Sequence, residues 1–270
     1  MKSVPIAMAE KKIEKRVLKF ISASDWLEQE NNSEKISTGS NSLNNLLGGG
    51  IESGAITEVF GEHSSGKSQL AYQLAYNNFI QNDQKDKPST LVFDTELRFR
   101  IQRIVDIAKA NKMPEKEIEK LLQSIKKIRI ENSDDLLLAV NSIKSLADSG
   151  DKVKLVIIDS LMVHFRAEYS NRSQLSERQH KIAVILHTLN TYAKKYGFAV
   201  YFTNHVMTRP DDVSADPLVH LGGNVVGHFS EYRIYLKKGR NGVRIAKLVD
   251  SPRGEGEVCF KIENRGICDV

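Results

Sequence analysis

Cysteine is scarce in this sequence: Cys259 and Cys268 are the two among 270 residues. That excludes a disulfide scaffold, and with neither metal-ligand spacing nor an evident catalytic partner both read as reduced structural thiols. Long apolar runs are missing too. Nothing approaches the roughly 18 residues of a membrane span, and charged Glu10, Lys11 and Lys12 stand where a signal peptide needs an apolar stretch. The chain therefore reads as cytoplasmic, with no membrane partner. There is no internal repeat, and no low-complexity segment beyond a short Asn-rich stretch. Charge of one sign is not in large excess either: 39 Lys+Arg against 34 Asp+Glu leave +5 at pH 7, which permits a polyanionic partner without requiring one. With 40% hydrophobic and 27% charged residues, wholesale disorder and collagen-like repetition are excluded. At about 150 residues per domain, the length allows one domain with extensions.

Patterning divides the chain near residue 35. Ala9 to Leu18 is rich in Lys and Glu, with Ile13, Val17 and Leu18 at helical spacing, and Glu28 to Ser33 is polar and linker-like. Residues 1–35 thus read as a short helix and a tether, and 36–270 as the core. In the core, strand-like runs at Ile56–Phe60, Thr90–Phe93, Lys127–Ile130, Lys154–Ile158 and Phe198–Phe202 alternate with room for helices. Ser133-Asp134-Asp135 is a helix start, and Gly197 ends a helix traced by Ile182, Ile185, Leu186 and Leu189. Alternation of this kind predicts an α/β fold: a mainly parallel sheet with helices on both faces. Arg233–Leu236 and Val243–Val249, joined by Gly-Arg-Asn-Gly, read as a hairpin, with Val258–Ile262 as a further strand. These predict a C-terminal antiparallel extension.

The chemistry begins at Gly61-Glu62-His63-Ser64-Ser65-Gly66-Lys67-Ser68, which fits G-x-x-x-x-G-K-[ST]. It follows a predicted strand and opens a helix through Gln69. Glycines let the loop curl its N–H groups around a polyphosphate, Lys67 reaches the β and γ phosphates, and Ser68 ligates Mg²⁺. Ordinary residue frequencies produce such a pattern by chance in about one chain of this length in a hundred. A metal's water shell needs a second acid at a strand end, and Asp159, closing the apolar run Leu155–Ile158, supplies it. Hydrolysis also needs a group to activate water. Glu96 in Asp94-Thr95-Glu96 is the first candidate and Asp94 the second; the competing reading of Glu96 is a solvated surface acid.

Around these residues stand Ile36-Ser37-Thr38-Gly39, Leu46-Leu47-Gly48-Gly49-Gly50, Asp159-Ser160, His164 to Tyr169, Thr203-Asn204, Gly222-Gly223-Asn224 and Asp250-Ser251-Pro252. In this order, over about residues 20 to 270, the chain resembles the RecA/RadA family of recombinases, its archaeal and eukaryotic members above all. The resemblance implies a RecA-type P-loop ATPase core that uses ATP and Mg²⁺, polymerises on single-stranded DNA and exchanges strands with duplex DNA in recombinational repair. It also implies a protein at the nucleoid in a prokaryote, self-association into a filament or ring, recombination mediators as partners, and room for a monovalent cation at the subunit interface. Lys67 and Glu96 then carry the hydrolysis, and Arg103 packs over adenine. His228 senses the γ-phosphate of a neighbouring subunit's nucleotide, and Asp250 and Pro252 cap that nucleotide. Two segments match the DNA loops: about Glu168 to Leu175, with Arg166, Tyr169, Arg172 and Arg178, and about Val206 to Leu221, with Met207, Arg209 and the exit residues Gly222 and Gly223. Without the resemblance the first would read as a solvated loop; the second is long and shows no strand or helix pattern, the habit of a binding loop. Between Tyr232 and Val249 lie six Lys or Arg and no acid, a basic rim or a hairpin's solvated face. Phe20-Ile21-Ser22-Ala23 has the Phe-x-x-Ala form that docks into an adjacent protomer.

Departures from the family pattern accompany these matches. The family's N-terminal helical domain is expected to be missing, Ser64 stands for a usual glycine, and Leu97-Arg98 replaces Gly-Thr. His205 takes the place of the glutamine that relays the γ-phosphate state to the second DNA loop, and the cap after Asp250 is short. They support a second reading, a recombinase paralog that binds ATP and loads others with little strand exchange of its own.

Overall fold

The computed structural model describes residues 20–82, 88–208 and 218–270, the side chains of 208 and 218–220 excepted. After Ser33 the chain divides into a small N-terminal unit and a large unit, Glu34–Val270. In the small unit the Ser22 hydroxyl accepts the Asp25 N–H at 3.2 Å and so caps α1 (Ala23–Asn31). The polar stretch from Glu28 is therefore helical to Asn31 instead of a linker. The helix buries no residue, so it has no apolar stripe for a periodicity argument to find. The helix expected over Ala9–Leu18 lies outside the described residues.

The large unit opens with β1 (Lys35–Ile36), α2 (Asn41–Leu46) and β2 (Ile51–Glu52). Its alternating body is β3 (Ile56–Gly61), α3 (Lys67–Gln81), β4 (Ser89–Asp94), α4 (Ile101–Ala110), α5 (Glu115–Ser124), β5 (Ile125–Arg129), α6 (Ser133–Asp148), β6 (Val153–Asp159), α7 (Val163–Glu168), α8 (Leu175–Tyr196) and β7 (Ala199–Asn204). There follow β8 (Val206–Thr208), β9 (Leu218–His220), α9 (Gly223–Phe229), β10 (Tyr232–Lys238), β11 (Val243–Asp250), β12 (Gly256–Glu263) and β13 (Gly266–Asp269). Among the described residues nine strands form one sheet, in the order β13-β12-β11-β10-β3-β7-β6-β4-β5. Neighbours from β10 to β5 run parallel, and β10 to β13 form an antiparallel meander.

Side-chain alternation explains the layers. β3, β4 and β7 are buried along their whole length, as strands covered on both faces must be. Val59, Val92, Ile157 and Tyr201 share one core with Leu70, Leu74 and Ile104 of α3 and α4. Phe93, Ile158 and Phe202 point the other way, to Leu136 of α6 and Leu186 and Leu189 of α8. Each such fully buried side chain contributes about 1.5–3 kcal/mol. α8 ends where Gly197 takes φ 70° and its N–H reaches the Ala193 carbonyl at 2.9 Å. Asn132, one residue before the predicted start, caps α6 by accepting the Asp135 N–H at 2.8 Å.

Two sequence expectations need correcting. The segment from Val206, read as patternless, begins and ends as an antiparallel ribbon in which Met207 pairs with Val219; strands of three residues are too short to show alternation. Cys259 is exposed and Cys268 buried, so only Cys268 fits a structural thiol. The C-terminal ends of β3, β4, β6 and β7 share one edge of the sheet, where ligands of open α/β sheets bind.

Candidate active site

Between Gly61 and Lys67 the chain turns over the end of β3. A Cβ at Gly61 would collide with the Leu236 carbonyl of β10, so only glycine allows the loop to begin this close to the neighbouring strand. Gly66 starts α3 at φ 116°, and Ser64 adopts φ 60° without being glycine, its Oγ 2.8 Å from His63 Nδ1. Lys67 lies 8% exposed and donates to the carbonyls of Gly61 and Glu62 at 2.9 and 2.8 Å. Burial lowers its pKa, opposed by the charges of Asp159, Glu96 and Glu62. The Ser65 hydroxyl is buried in the loop with no hydrogen-bond partner among the described residues.

Below the loop, Ser68 Oγ donates to Asp159 Oδ2 at 2.7 Å, and Thr203 Oγ1 donates to the other Asp159 oxygen. Burial pushes the Asp159 carboxyl up and Glu96 adds to it, against the two hydroxyl donors. Tyr201 OH donates to the Lys67 carbonyl at 2.8 Å from the core beneath. The Thr95 and Glu96 N–H groups donate to the Asp159 carbonyl at 3.1 and 3.3 Å, which turns the Glu96 side chain toward the loop. Its Oε1 meets His205 Nε2 at 2.7 Å and the Ser160 hydroxyl at 2.9 Å. These bonds, His205 first, hold the Glu96 carboxyl at about 2. Asp94, the second candidate, faces elsewhere: it accepts the Arg98 and Phe99 N–H groups and pairs with Lys127 at 2.7 Å.

A cleft of about 590 Å³ runs along the loop, bordered by Lys67, Ser68, Glu96, Asp159, His205 and Arg103. Arg103 donates from Nε to Gln69 Oε1 at 2.9 Å, and from its two terminal nitrogens to the carbonyls of Asn264 and Glu263 at 3.0 and 2.6 Å. Its plane is thereby fixed as a wall. Arg98, Arg244, Ile262, Glu263 and Asn264 also line the cleft and were not named as site residues; Arg98 follows Glu96 by two positions, while the fold brings the other four from β11, β12 and the turn after it, far along the chain. Thr203, named in the sequence only within the matching pair Thr203-Asn204, had no site role assigned to it. The residues fit a magnesium nucleotide. Ser65 offers an unpaired buried hydroxyl, Lys67 a cation held on the loop, and Ser68 with Asp159 a hydroxyl and carboxylate side by side.

A second cleft, about 480 Å³, lies at the end of α9 and is lined by His228 and Asp250 with Asn224, Gly227, Ser230 and Arg233. Pro252 sits outside it, exposed in a turn where Ser251 Oγ donates to the Gly254 carbonyl at 2.8 Å. Of the residues expected at DNA, Arg166 and Arg172 are exposed and Met207 is 51% exposed. Arg178 is half-buried, with Nε unpartnered among the described residues. Tyr169 packs on Phe165 with ring centroids 6.4 Å apart, and Lys181 Nζ stands 5.8 Å from its centroid. Gly222, at φ 101°, leaves no room for a Cβ against Val226, and Met162 Sδ lies 3.3 Å from that point; Gln179 stands 3.9 Å from the same point at Gly223. The exit of the second segment thus abuts the flanks of the first. Arg209 lies outside the described residues. Phe20 is fully exposed and Ala23 is the first residue of α1.

A phosphate loop between β3 and α3, an acid closing β6 and a mainly parallel sheet with an antiparallel extension define a RecA-type P-loop core. Comparison with known proteins narrows the class: the Rad51 family model matches residues 28–270, and this chain belongs to the Rad51 family. It is 42% identical over 247 residues, 90% of this chain and 75% of the relative, to DNA repair and recombination protein RadA of Metallosphaera sedula. Among the described residues no helix is long and apolar enough to cross a membrane.

Proposed function

We propose that this protein is an ATP-dependent DNA recombinase that assembles on single-stranded DNA and promotes pairing and strand exchange with a homologous duplex. Membership of the Rad51 family, whose members are DNA-dependent ATPases of recombination and repair, supports the class of reaction. One observation carries the reading from an ATPase to a DNA-responsive one: the 2.7 Å contact between Glu96 and His205. His205 is also the base of the β8–β9 ribbon, where its carbonyl accepts the Leu221 N–H at 3.1 Å. The residue that would orient the attacking water is therefore bonded directly to the hinge of the second candidate DNA loop.

In this mechanism Lys67, Ser65 and the loop N–H groups would hold the phosphates, and Ser68 and Asp159 would hold Mg²⁺. Bound Mg²⁺ supplies neutralisation of the phosphate charge. Glu96, kept ionised by His205 and Ser160, is a poor proton acceptor while both bonds last; it gains basicity when His205 leaves. Arg103 gives the base a fixed planar wall. Arg166, Arg172 and Arg178 with Met207 and Arg209 face DNA phosphates and bases. His228, Asp250 and Pro252 face a neighbouring protomer's nucleotide, and residues 1–35 act as a tether through Phe20 and Ala23.

Strand exchange between single-stranded DNA and a matched duplex, with ATP and Mg²⁺, tests the reading against a Lys67→Ala control. Joint products from the wild type and none from the control are expected. ATP binding without product, at protein saturating the DNA, would replace the recombinase with a loader of other recombinases.

A further inference from the structure

Glu58 is a carboxylate that the mechanism above does not use. It lies in the middle of β3 and is 0% exposed. A buried charge is costly unless paired and hydrogen-bonded, and an apolar residue would pack there more cheaply. Both its oxygens are engaged. Asn204 Nδ2 donates to Oε1 at 2.7 Å, and Arg233 Nε donates to Oε2 at 3.0 Å.

Each partner leads to a different place. The Asn204 amide closes the base of the second loop: Nδ2 also donates to the Leu221 carbonyl at 2.6 Å, and Oδ1 accepts the N–H of His205 at 2.8 Å. Arg233 lies over the Phe60 ring, 5.7 Å from its centroid, and borders the His228–Asp250 cleft. Its Nη1 is 3.9 Å from Asp250 Oδ2, the outer limit of an ion pair. An anionic group entering that cleft offers the guanidinium a shorter, fork-like partner. Arg233 then has two settings, on Glu58 or on the anion. In the second setting Glu58 loses the Arg233 bond, leans more on Asn204 and draws the amide away from Leu221.

We propose that Glu58 is a positioning residue which, through Arg233 and Asn204, couples an anion in the His228–Asp250 cleft to the setting of the second loop's base, and so to affinity for single-stranded DNA. The coupling rests on the recombinase reading for the identity of the loop's ligand. Coupling between two sites typically changes affinity about 5- to 150-fold.

The test is fluorescence anisotropy with labelled oligo-dT, with and without a slowly hydrolysed ATP analogue and Mg²⁺, on the full chain. The wild type should bind DNA at least tenfold more tightly with the analogue. Glu58→Gln, which keeps the shape and the Asn204 bond, should reduce that gain below threefold, with analogue affinity and nucleotide-free DNA affinity within twofold of wild type. Arg233→Lys should also lose the gain, and the double variant should lose no more than either single one. A full gain in both single variants overturns the relay and leaves the recombinase standing. So does parallel loss of analogue binding and melting temperature in Glu58→Gln, the mark of a purely structural role. Absence of any gain in the wild type, with analogue bound, removes both readings.

Discussion

Lys67, Glu96, Asp159 and Arg103 each have two or more hydrogen-bond partners around the nucleotide cleft, while Arg166 and Arg172 are exposed and have no side-chain partner among the described residues. The two regions adjoin at Thr203, Asn204 and His205, yet they are built differently. The cleft is organised by folding itself, and its side chains are held before any ligand arrives, so a substitution there removes chemistry. The candidate DNA segments present long exposed side chains whose ordering is left for a ligand to complete, so a substitution there is expected to remove affinity and salt sensitivity.

That contrast can be broken in order of size. Lys67→Ala should lower ATP turnover roughly a hundredfold or more, measured as phosphate release, while nucleotide-free binding to oligo-dT stays within twofold; a parallel loss of DNA binding would mean the regions are not separable. Glu96→Gln should cut turnover about a hundredfold yet retain nucleotide affinity in equilibrium titration. Arg172→Ala should weaken DNA binding several-fold irrespective of sequence, reduce the slope of log affinity against log salt by about one, and leave DNA-free turnover alone. Tyr201→Phe removes one buried donor beneath Lys67 and should cost about 1 kcal/mol in urea unfolding. A further effect concerns pH. Glu96, at about 2 against an ordinary 4.5, binds its proton less readily folded than unfolded. Its contribution to stability is complete above pH 4.5 and is lost as pH falls towards 2. His205→Ala should flatten the stability curve across that window; an unchanged curve would mean His205 does not hold Glu96.

Much of the cleft was legible because its residues sit in local patterns. The phosphate loop is contiguous, and Asp159 and Glu96 each follow a buried strand whose apolar run announces it. β13 and the β1–β2 pair were not read, since two- to four-residue strands carry no period, and the room left for a helix between the predicted strands Thr90–Phe93 and Lys127–Ile130 holds two, α4 and α5. Choosing between Asp94 and Glu96 needed the fold. Asp94 and Asp159 are register partners on β4 and β6, but Asp94 is spent on the N–H groups of Arg98 and Phe99 and on Lys127. Nothing in a single sequence tells which of two acids two residues apart turns toward the loop. The Glu58 network was invisible for the same reason: its three members are 146 residues apart at Asn204 and 175 at Arg233.

Phe20→Ala sharpens the division between the two units. Because the side chain is fully exposed, its loss should leave the melting temperature unchanged and lower the assembly size in light scattering at matched concentration. An unchanged size removes Phe20 from self-association.

Arg103 ties the first turn of α3 to the carbonyls of Glu263 and Asn264 in the β12–β13 turn. The wall of the nucleotide cleft is thus sewn to the last strand pair of the sheet. A fusion partner, an affinity tag or a protease acting near residue 265 would therefore register as a nucleotide-binding defect, although it lies almost two hundred positions from Lys67 along the chain.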